Sequence, residues 1–394
     1  MNINIVFLIN TYKDEKEAKK TIMYHLNKFG TNKYDFNLID CPGDFHLRKN
    51  IIKGHSIADV SVFVVSADNE NPEDDHINDL LIIAYTRGIK QLIFAINIMD
   101  LTKEPQYSEK IFLKMKKKLL NLSLNIGFDT EDIQFIPYSG LTVHNLMNKY
   151  EDNDDEKINK MSWYKGKTLL ESLDEIKPVH REINNPFIIS IFGVYRHHSI
   201  LRGRILSGKL SKNDKIKFNT EKHSIITEMA SIQKYDNEVN EAMAGDIISF
   251  RLKGLTYREI KSCNLIFNQD LSFKKIKSIR AKILVVNKTV LLKKGFTLTF
   301  FCSSLNKPID IVQIEYLIDG ANRILEKEPE FVKFGQHAIV KMEINKEKKY
   351  DYGIILEKYK KNKVLGSFEL FNDYFIAVGK ILDLENEVFK NNYY

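Results

Sequence analysis

The chain has 394 residues, 43% of them hydrophobic, which is too long for one compact core and suits two or three domains. Lys and Arg number 59 against 52 Asp and Glu, an excess that favours an acidic partner such as RNA, although a Lys-rich and Asn-rich composition alone would also produce it. No apolar run approaches the roughly 18 residues of a membrane-spanning helix, and three scattered cysteines form no CxxC motif, which excludes membrane-spanning, disulfide-rich and zinc-finger classes.

Apolar strands alternate with amphipathic helices over the first 160 residues. The predicted strands are INIVFLI (3–9), FNLID (36–40), VSVFVVSA (60–67), QLIFAINI (91–98) and IQFIPYS (133–139). The predicted helices are KEAKKTIMYHLNKF (16–29), residues 46–56, NDLLIIAYTRG (78–88) and residues 108–125. This alternation predicts an α/β domain with a parallel, doubly wound sheet at residues 1–160.

The pattern changes after this domain. An acidic stretch at 151–157 predicts an exposed loop, and residues 163–176 predict a helix, so residues 161–184 are expected to form an interdomain helix and linker. Short strands with Gly and Asn turns follow and predict two small β-barrels, at 185–270 and 271–390. The predicted strands are 187–195, 202–211, 214–219, 245–254, 279–287, 295–304, 337–344, 352–359 and 375–382. The expected fold class is therefore α/β plus all-β.

The tetrapeptide Asp-Cys-Pro-Gly, residues 40–43, follows an apolar strand. The Asp40 carboxylate can reach Mg²⁺ through water, and the Gly43 amide can approach a terminal phosphate because no side chain blocks it. The same four residues are also a good turn sequence, and taken alone they favour a turn.

Polar residues also end two later strands. Asn97 and Asp100 lie in AINIMD, where a carboxylate can accept hydrogen bonds from the N1 and N2 hydrogens of guanine, and Ser139 and Gly140 follow the strand IQFIP. Doubly wound sheets bind ligands at the carboxyl ends of their strands, where all of these residues fall. A purely structural role is the alternative, because a buried Asn or Asp at a strand end can tie loops together.

The order of these motifs resembles the translational GTPases of the elongation factor 1-alpha, release-factor GTPase and ribosome-rescue GTPase group. The matching segments are DCPG, KNIIKG, SIADVSVFVVSA, LLIIAYTRGIKQLIFAINIMD, FIPYSGL, WYKGKTLLESLD, GRILSGKL, FRLKG, RAKILVVN, EPEFVKFGQHAIVKMEI and FIAVGKI. The resemblance covers almost the whole chain and implies a P-loop-GTPase-like domain followed by two barrels. It assigns nucleotide contacts to Asp40, Gly43, Asn97, Asp100, Ser139 and Gly140, and a Mg²⁺ contact to Asp40.

Departures from the family concentrate in the phosphate site. A P-loop needs G-x-x-x-x-G-K-[ST], whereas INTYKDEKEAKKT (9–21) follows the first strand and the first glycine of the chain is Gly30. Lys20 and Thr21 are candidates for a remnant of the Lys-Ser/Thr pair, although a surface lysine on a helix is the favoured interpretation, and the nearby Asp14, Glu15 and Glu17 would repel phosphate. Only TNKYD (31–35) separates the predicted first helix from the next strand, which is too short for the first switch.

Two further family residues are replaced. The catalytic His that follows Asp-x-Pro-Gly is Asp44 here, with His46 two residues on, and the Lys that packs along the guanine ring is Ile98. No catalytic residue is therefore identified, and we expect a pseudo-GTPase with a degenerate P-loop that binds GTP or GDP with Mg²⁺ weakly or not at all.

The resemblance implies a cytoplasmic, monomeric translation factor that makes no membrane contact. It would act at the factor or A site of the ribosome, contacting rRNA and carrying tRNA or a tRNA-shaped, release-factor-like protein. Two alternatives stay open: an active but diverged GTPase of elongation or ribosome rescue, which takes phosphate contacts from Lys13, Lys19, Lys20 and the ribosome, and a scaffold that has left translation. The branch stays open too, because the short passage between Tyr195 and Gly203 favours the release and rescue factors while WYKGKTLLESLDEI also suits the elongation factor.

Overall fold

A computed structural model describes residues 2–9, 25–41, 48–67, 74–103, 105–147, 160–195, 199–219, 224–235, 237–260, 264–273, 276–303, 305–344 and 355–386. The chain divides into two compact units, Met1–His180 and Arg181–Tyr394. No helix in these ranges is both long and apolar enough to cross a membrane.

The first unit is a six-stranded sheet with helices. Its strands are β1 (Asn2–Ile9), β2 (His25–Gly30), β3 (Asp35–Cys41), β4 (Val60–Ser66), β5 (Gln91–Asn97) and β6 (Ile133–Pro137), and its helices are α1 (Arg48–Ile57), α2 (Asp74–Thr86), α3 (Glu109–Ile126) and α4 (Leu169–Asp174). The strand order is β2-β3-β1-β4-β5-β6, and every neighbouring pair is parallel except β2 with β3. The predicted α/β fold with a parallel sheet is confirmed, because short apolar strands flanked by helices can be buried on both faces.

The prediction of a helix over residues 16–29 is wrong for residues 25–29. They belong to β2, an edge strand that forms an antiparallel hairpin with β3, and the Phe29 ring stacks on the Phe36 ring at a centroid distance of 4.9 Å. Cross-strand pairing of this kind outweighs the weak helix preference of a Lys-containing and Leu-containing segment. The first part of the predicted helix lies outside the described residues.

Residues 31–34 are consequently the turn of this hairpin, closed by a hydrogen bond from the Thr31 amide to the Tyr34 carbonyl (2.9 Å). The prediction that residues 31–35 occupy the position of the first switch is wrong, because β2 and β3 are neighbours joined by a tight turn. A first switch would therefore have to lie before β2. Residues 10–24 are all that connect β1 to β2.

The helix predicted over 163–176 is shorter than expected. α4 begins after Thr168, whose side chain accepts from the Glu171 amide while the Glu171 side chain accepts from the Thr168 amide, a capping box that sets the first turn. Leu169, Leu173 and Ile176 pack with Ile3 of β1 in the core of the first unit.

The second unit begins with a closed barrel. Its elements are β7 (Ile188–Tyr195), β8 (Ile200–Ser207), β9 (Lys209–Ser211), β10 (Lys215–Asn219), β11 (Ser224–Lys234), β12 (Asn237–Val239), β13 (Glu241–Met243), β14 (Ile247–Leu252), α5 (Tyr257–Ile260) and β15 (Leu265–Asn268). The strand order β10-β15-β7-β8-β14-β11 closes through a β10–β11 pairing, which gives six strands around the barrel. Alternating apolar residues of these strands fill its interior.

A second six-stranded barrel follows. Its elements are β16 (Ile276–Val285), β17 (Leu292–Lys293), β18 (Thr297–Cys302), β19 (Leu305–Ile318), β20 (Ile324–Lys327), β21 (Phe331–Val332), β22 (His337–Ile344), α6 (Lys363–Gly366), β23 (Ser367–Phe371) and β24 (Phe375–Asn386). The order β18-β23-β24-β16-β22-β19 closes through a β18–β19 pairing, with β20 added outside β19. The prediction of two small β-barrels is confirmed.

One predicted barrel strand is wrong. Residues 355–359 of the predicted strand 352–359 form no strand, and residues 352–354 lie outside the described part of the chain. Ile355 and Leu356 are buried all the same, and the Tyr359 amide donates to the Ile381 carbonyl of β24. The apolar residues of this segment therefore indicate burial but not a β-strand.

Candidate functional site at the carboxyl edge of the sheet

The predicted nucleotide residues that the structure describes lie on the carboxyl edge of the parallel sheet. Asp40 is the residue before the end of β3, Asn97 ends β5, and Ser139 and Gly140 follow β6. Strands β3, β5 and β6 run in the same direction, so their carboxyl ends meet at one edge. Gly43 and Asp44 lie outside the described residues.

Asn97 joins two of these loops. Its Oδ1 atom accepts hydrogen bonds from the Ile98 amide (2.8 Å) and the Gly140 amide (2.9 Å), and a Cβ atom at residue 140 would lie 3.5 Å from that oxygen. The side chain thus sets the distance between the β5 and β6 loops. This is the structural role that the sequence left as an alternative.

Ile98 has an unusual backbone conformation. Its φ and ψ are 62° and 31°, in the left-handed region that a β-branched residue rarely adopts. The hydrogen bond from the Ile98 amide to the Asn97 side chain holds this conformation. The loop therefore keeps this backbone conformation although isoleucine disfavours it, and the strain costs about 1–2 kcal/mol.

Replacing Ile98 by Asn, which tolerates left-handed backbone, should raise the free energy of unfolding of the first unit by about 1 kcal/mol. Ile98→Val is the matched control, because valine keeps the β-branch and so keeps the strain. The only tryptophan of the chain, Trp163, packs against Phe112 in this unit, so its fluorescence during urea unfolding reports the effect. Equal stability of the Asn and Val variants would contradict the strain argument.

Asp100 lies in a short 3₁₀ helix, Met99–Leu101, that follows β5. Its backbone carbonyl accepts from the Gln106 side chain (2.6 Å), and the neighbouring Met99 carbonyl accepts from the Tyr107 amide (3.0 Å). The residue is 7% exposed, and its carboxylate has no hydrogen-bond or ion-pair partner among the described residues. A held, unpaired carboxylate of this kind suits the two N–H donors of guanine.

Ser139 turns inward, whereas Gly140 is exposed. The Ser139 side chain is fully buried, its Oγ accepts from the Thr142 amide (3.2 Å), and its own amide donates to the His144 carbonyl (3.1 Å). Ser139 therefore stabilises the loop after β6 through hydrogen bonds within that loop. Asn145, which sequence analysis did not single out, supports the same loop by donating to the Pro137 carbonyl (2.7 Å).

Burial, with a smaller contribution from the negative charge of the neighbouring Asp40, raises the pKa of the Cys41 thiol. Cys41 is therefore a neutral packing residue. Among the described residues no group of His, Cys, Asp and Glu side chains is arranged to hold a metal ion.

The site thus has a base end, where a guanine base would bind, and a phosphate end, where its phosphates would bind, and the two ends differ in how well their residues suit the ligand. Asn97, Asp100 and Gly140 fit a guanine base. The residues available for phosphates do not fit them, because 10–24 contain no glycine to bring amides close to phosphate oxygens and carry Asp14, Glu15 and Glu17.

Comparison with protein-family models assigns all three parts of the chain. The Elongation factor Tu GTP binding domain matches residues 4–179, Elongation factor Tu domain 2 matches 199–266, and the GTP-eEF1A C-terminal domain-like family matches 278–382. Elongation factor 1-alpha of Desulfurococcus mucosus is 32% identical, with 98% of this chain and 86% of that protein covered. The same factor of Thermoplasma acidophilum is also 32% identical, covering 96% and 86%.

Solved structures agree on the fold. The GTPase-like domain of S. cerevisiae Ski7 has a TM-score of 0.71 at 18% identity, with 97% of each chain covered. Elongation factor SelB of Methanococcus maripaludis has a TM-score of 0.68 at 18% identity, with 98% of this chain and 80% of that chain covered. The domain matches and the elongation factor relatives, which span nearly its whole length, show that this chain belongs to the translational GTPase family, whose members bind GTP and GDP, and that it is an elongation-factor-like member.

Proposed function

We propose that this chain is a cytoplasmic, monomeric translation factor that works without hydrolysing GTP. It acts at the factor or A site of the ribosome, contacts rRNA, and escorts tRNA or a tRNA-shaped, release-factor-like protein. Support comes from the elongation factor 1-alpha relatives, of which this chain covers 86%, and from the presence of both barrels as well as the α/β domain.

One observation supports the proposed loss of GTP hydrolysis. β1 ends at Ile9 and β2 begins at His25, so fifteen residues without a glycine replace what would have to be a phosphate loop, a helix and a first switch. An eight-residue phosphate loop alone would use half of them. Phosphoryl transfer requires positioned water, metal and charge-stabilising groups, and this connection has no glycine to bring its backbone amides close to phosphate oxygens.

The energetic consequence for nucleotide binding is large. Hydrogen bonds to charged groups are worth about 1.5–3 kcal/mol each, and every tenfold change in Kd corresponds to about 1.4 kcal/mol. Loss of several phosphate contacts therefore removes many orders of magnitude in affinity. The residues at the base end would contribute the same small binding free energy for guanosine as for GTP.

We expect guanosine and a GTP analogue to bind the purified full chain equally weakly, with no saturation below millimolar concentration and no effect of Mg²⁺. Asp100→Asn should weaken both ligands alike, because the carboxylate faces only the base. Titration with a fluorescent GTP analogue, with guanosine as competitor, measures this.

Micromolar, Mg²⁺-dependent GTP binding that is lost in Asp100→Asn would overturn the proposal. That outcome would favour the diverged, active GTPase, with phosphate contacts from Lys13, Lys19 or Lys20. Turnover on ribosomes would then be the next measurement.

Ribosome binding tests the other half of the proposal. The chain should sediment with ribosomes to the same extent with GTP, with GDP and without nucleotide, because the surfaces of its domains rather than a nucleotide state would determine docking. Failure to sediment under all three conditions would favour a scaffold that has left translation.

A further inference from the structure

A group of basic side chains lies on the outer face of the second barrel, where β24, β16 and β22 are neighbours. Lys282 of β16 is directly opposite Lys380 of β24. His337 of β22 is opposite Leu284, two residues along β16 from Lys282, so it faces the same side of the sheet. Lys380 is exposed, and Lys282 and His337 are half-buried. We call these three residues the basic cluster.

The basic cluster has no carboxylate partner among the described residues. Lys282 Nζ donates to the neutral Asn322 Oδ1 atom (2.6 Å), and Lys380 Nζ lies 4.7 Å from the centre of the Tyr359 ring. His337 Nδ1 is buried with no hydrogen-bond partner in the described part of the chain.

The flanking cations of the same face are paired. Arg280 contacts Glu315 (2.7 Å), Lys341 contacts Glu385 (3.0 Å), and Lys358 contacts Asp383 (2.6 Å). The acids of this face are therefore taken up by neighbours, and the positive charge of the basic cluster is left unbalanced.

These charges oppose one another. Burial and the charge of Lys380 lower the pKa of Lys282, with Asp319 acting in the opposite direction, and burial together with both lysines lowers the pKa of His337. Asp319 is itself engaged by Arg323 (2.7 Å). Like charges placed directly opposite in a sheet are destabilising, so this arrangement costs stability unless an anion joins it.

We propose that the basic cluster binds the phosphate backbone of RNA. Lysine ammonium groups are point charges that neutralise phosphates without reading sequence, and two on neighbouring strands offer charges to successive phosphates. The half-buried Tyr359 ring beside Lys380 adds an aromatic surface of the kind that RNA-binding faces combine with basic residues. The choice of RNA over an acidic protein rests on the proposed function.

The test compares two doubly substituted full-length chains of equal net charge. Lys282→Gln with Lys380→Gln removes the two lysines of the cluster. Lys212→Gln with Lys253→Gln is the matched control, because these two lysines lie on the first barrel and pair with Glu238 and Glu228. Binding of a fluorescein-labelled RNA stem-loop is measured by anisotropy across a series of salt concentrations, with poly-glutamate as a second probe.

The cluster variant should bind RNA about tenfold more weakly than wild type, with the slope of log K against log salt reduced by about 1.5, whereas the control variant should lose much less. Its melting temperature should be unchanged or raised, because repulsion is removed, so weakened binding could not be attributed to unfolding. Unchanged RNA affinity in a folded cluster variant would overturn the inference. Equal losses for RNA and poly-glutamate would overturn the choice of RNA.

Ribosome sedimentation separates this inference from the proposed function. Cluster-dependent binding of the stem-loop by a chain that does not sediment with ribosomes would contradict the function and leave the RNA surface standing. If the chain binds ribosomes but its RNA affinity does not depend on the basic cluster, the proposed function would stand and the RNA surface would be contradicted.

Discussion

Replacing Gly54 by alanine will lower the free energy of unfolding of the first unit by about 2 kcal/mol. A Cβ atom at residue 54 of α1 would lie 2.1 Å from Cys41 Sγ at the end of β3, and 3.5 Å and 3.6 Å from methyl groups of Ile39 and Val6. Forcing an extra methyl group into a packed core costs about 1–3 kcal/mol, occasionally more, and the better helix propensity of alanine returns about 1 kcal/mol or less. Urea unfolding followed by Trp163 fluorescence measures the difference.

A double substitution tests the named contact. Only the Cys41 sulfur is too close, since the next atoms are at ordinary contact distance, so Cys41→Ala should make room for the added methyl group. Cys41→Ala alone should cost about 1–2 kcal/mol as a lost buried group, and Gly54→Ala should add almost nothing to that. Additive losses would show that the contact between Gly54 and Cys41 does not limit the packing.

This contact bears on function because of where α1 lies. Residues 40–54 resemble the stretch of a translational GTPase that senses the terminal phosphate. In this chain the helical part of that stretch is packed on the sheet, with Ile51 and Ile52 fully buried and Gly54 against Cys41. Core packing therefore holds this part of α1 against the sheet, so Gly54→Ala tests the packing of the segment to which the resemblance assigns phosphate sensing.

The parallel sheet and the position of Asn97 and Gly140 at its carboxyl edge could be predicted because both follow from short-range patterns. Apolar runs such as VSVFVVSA and QLIFAINI are buried on both faces and leave little ambiguity. Once they are strands of one parallel sheet, Asn97 and Gly140 must follow neighbouring carboxyl ends. The hydrogen bond between them was not predictable, because it depends on a side-chain rotamer and on the left-handed backbone of Ile98.

The barrels were harder to predict strand by strand. β11 and β19, which have 11 and 14 residues, were not predicted, because a barrel strand buries only alternate residues and their sequences SIITEMASIQK and LNKPIDIVQIEYLI carry that alternation weakly. β2 was mistaken for a helix for a related reason. Its partner β3 and its stacked Phe36 ring are tertiary features that a local window does not contain.

Acidification from pH 6.5 to pH 4 should remove about 3 kcal/mol from the stability of the first unit through one residue, His55 of α1. Its side chain is 1% exposed, its Nδ1 atom lies 2.9 Å from the Ile51 carbonyl, and its Nε2 atom has no partner among the described residues. Burial, with a smaller contribution from the positive charge of Arg87, lowers the pKa of His55 from 6.5 to about 4.

The direction of this pH dependence follows from the protons bound by the folded and unfolded chains. Between pH 4 and 6.5 the unfolded chain binds a proton at His55 that the folded chain does not, so the free energy of unfolding rises with pH there and is fully recovered above 6.5. A shift of this size corresponds to about 3 kcal/mol. Carboxylates such as Glu175, whose pKa is lowered by Lys167, contribute in the same direction but at lower pH.

His55→Asn should flatten this dependence, because asparagine can still donate to the Ile51 carbonyl but does not titrate. The variant should be less stable than wild type at pH 7 and lose less on acidification, when urea unfolding is followed by Trp163 fluorescence. His337→Asn is the control, since His337 also has a lowered pKa but lies in the second unit, so the Trp163 transition should keep its pH dependence. A wild-type slope in His55→Asn would mean that His55 is not the group that titrates, and that another buried group of the first unit binds the proton on unfolding.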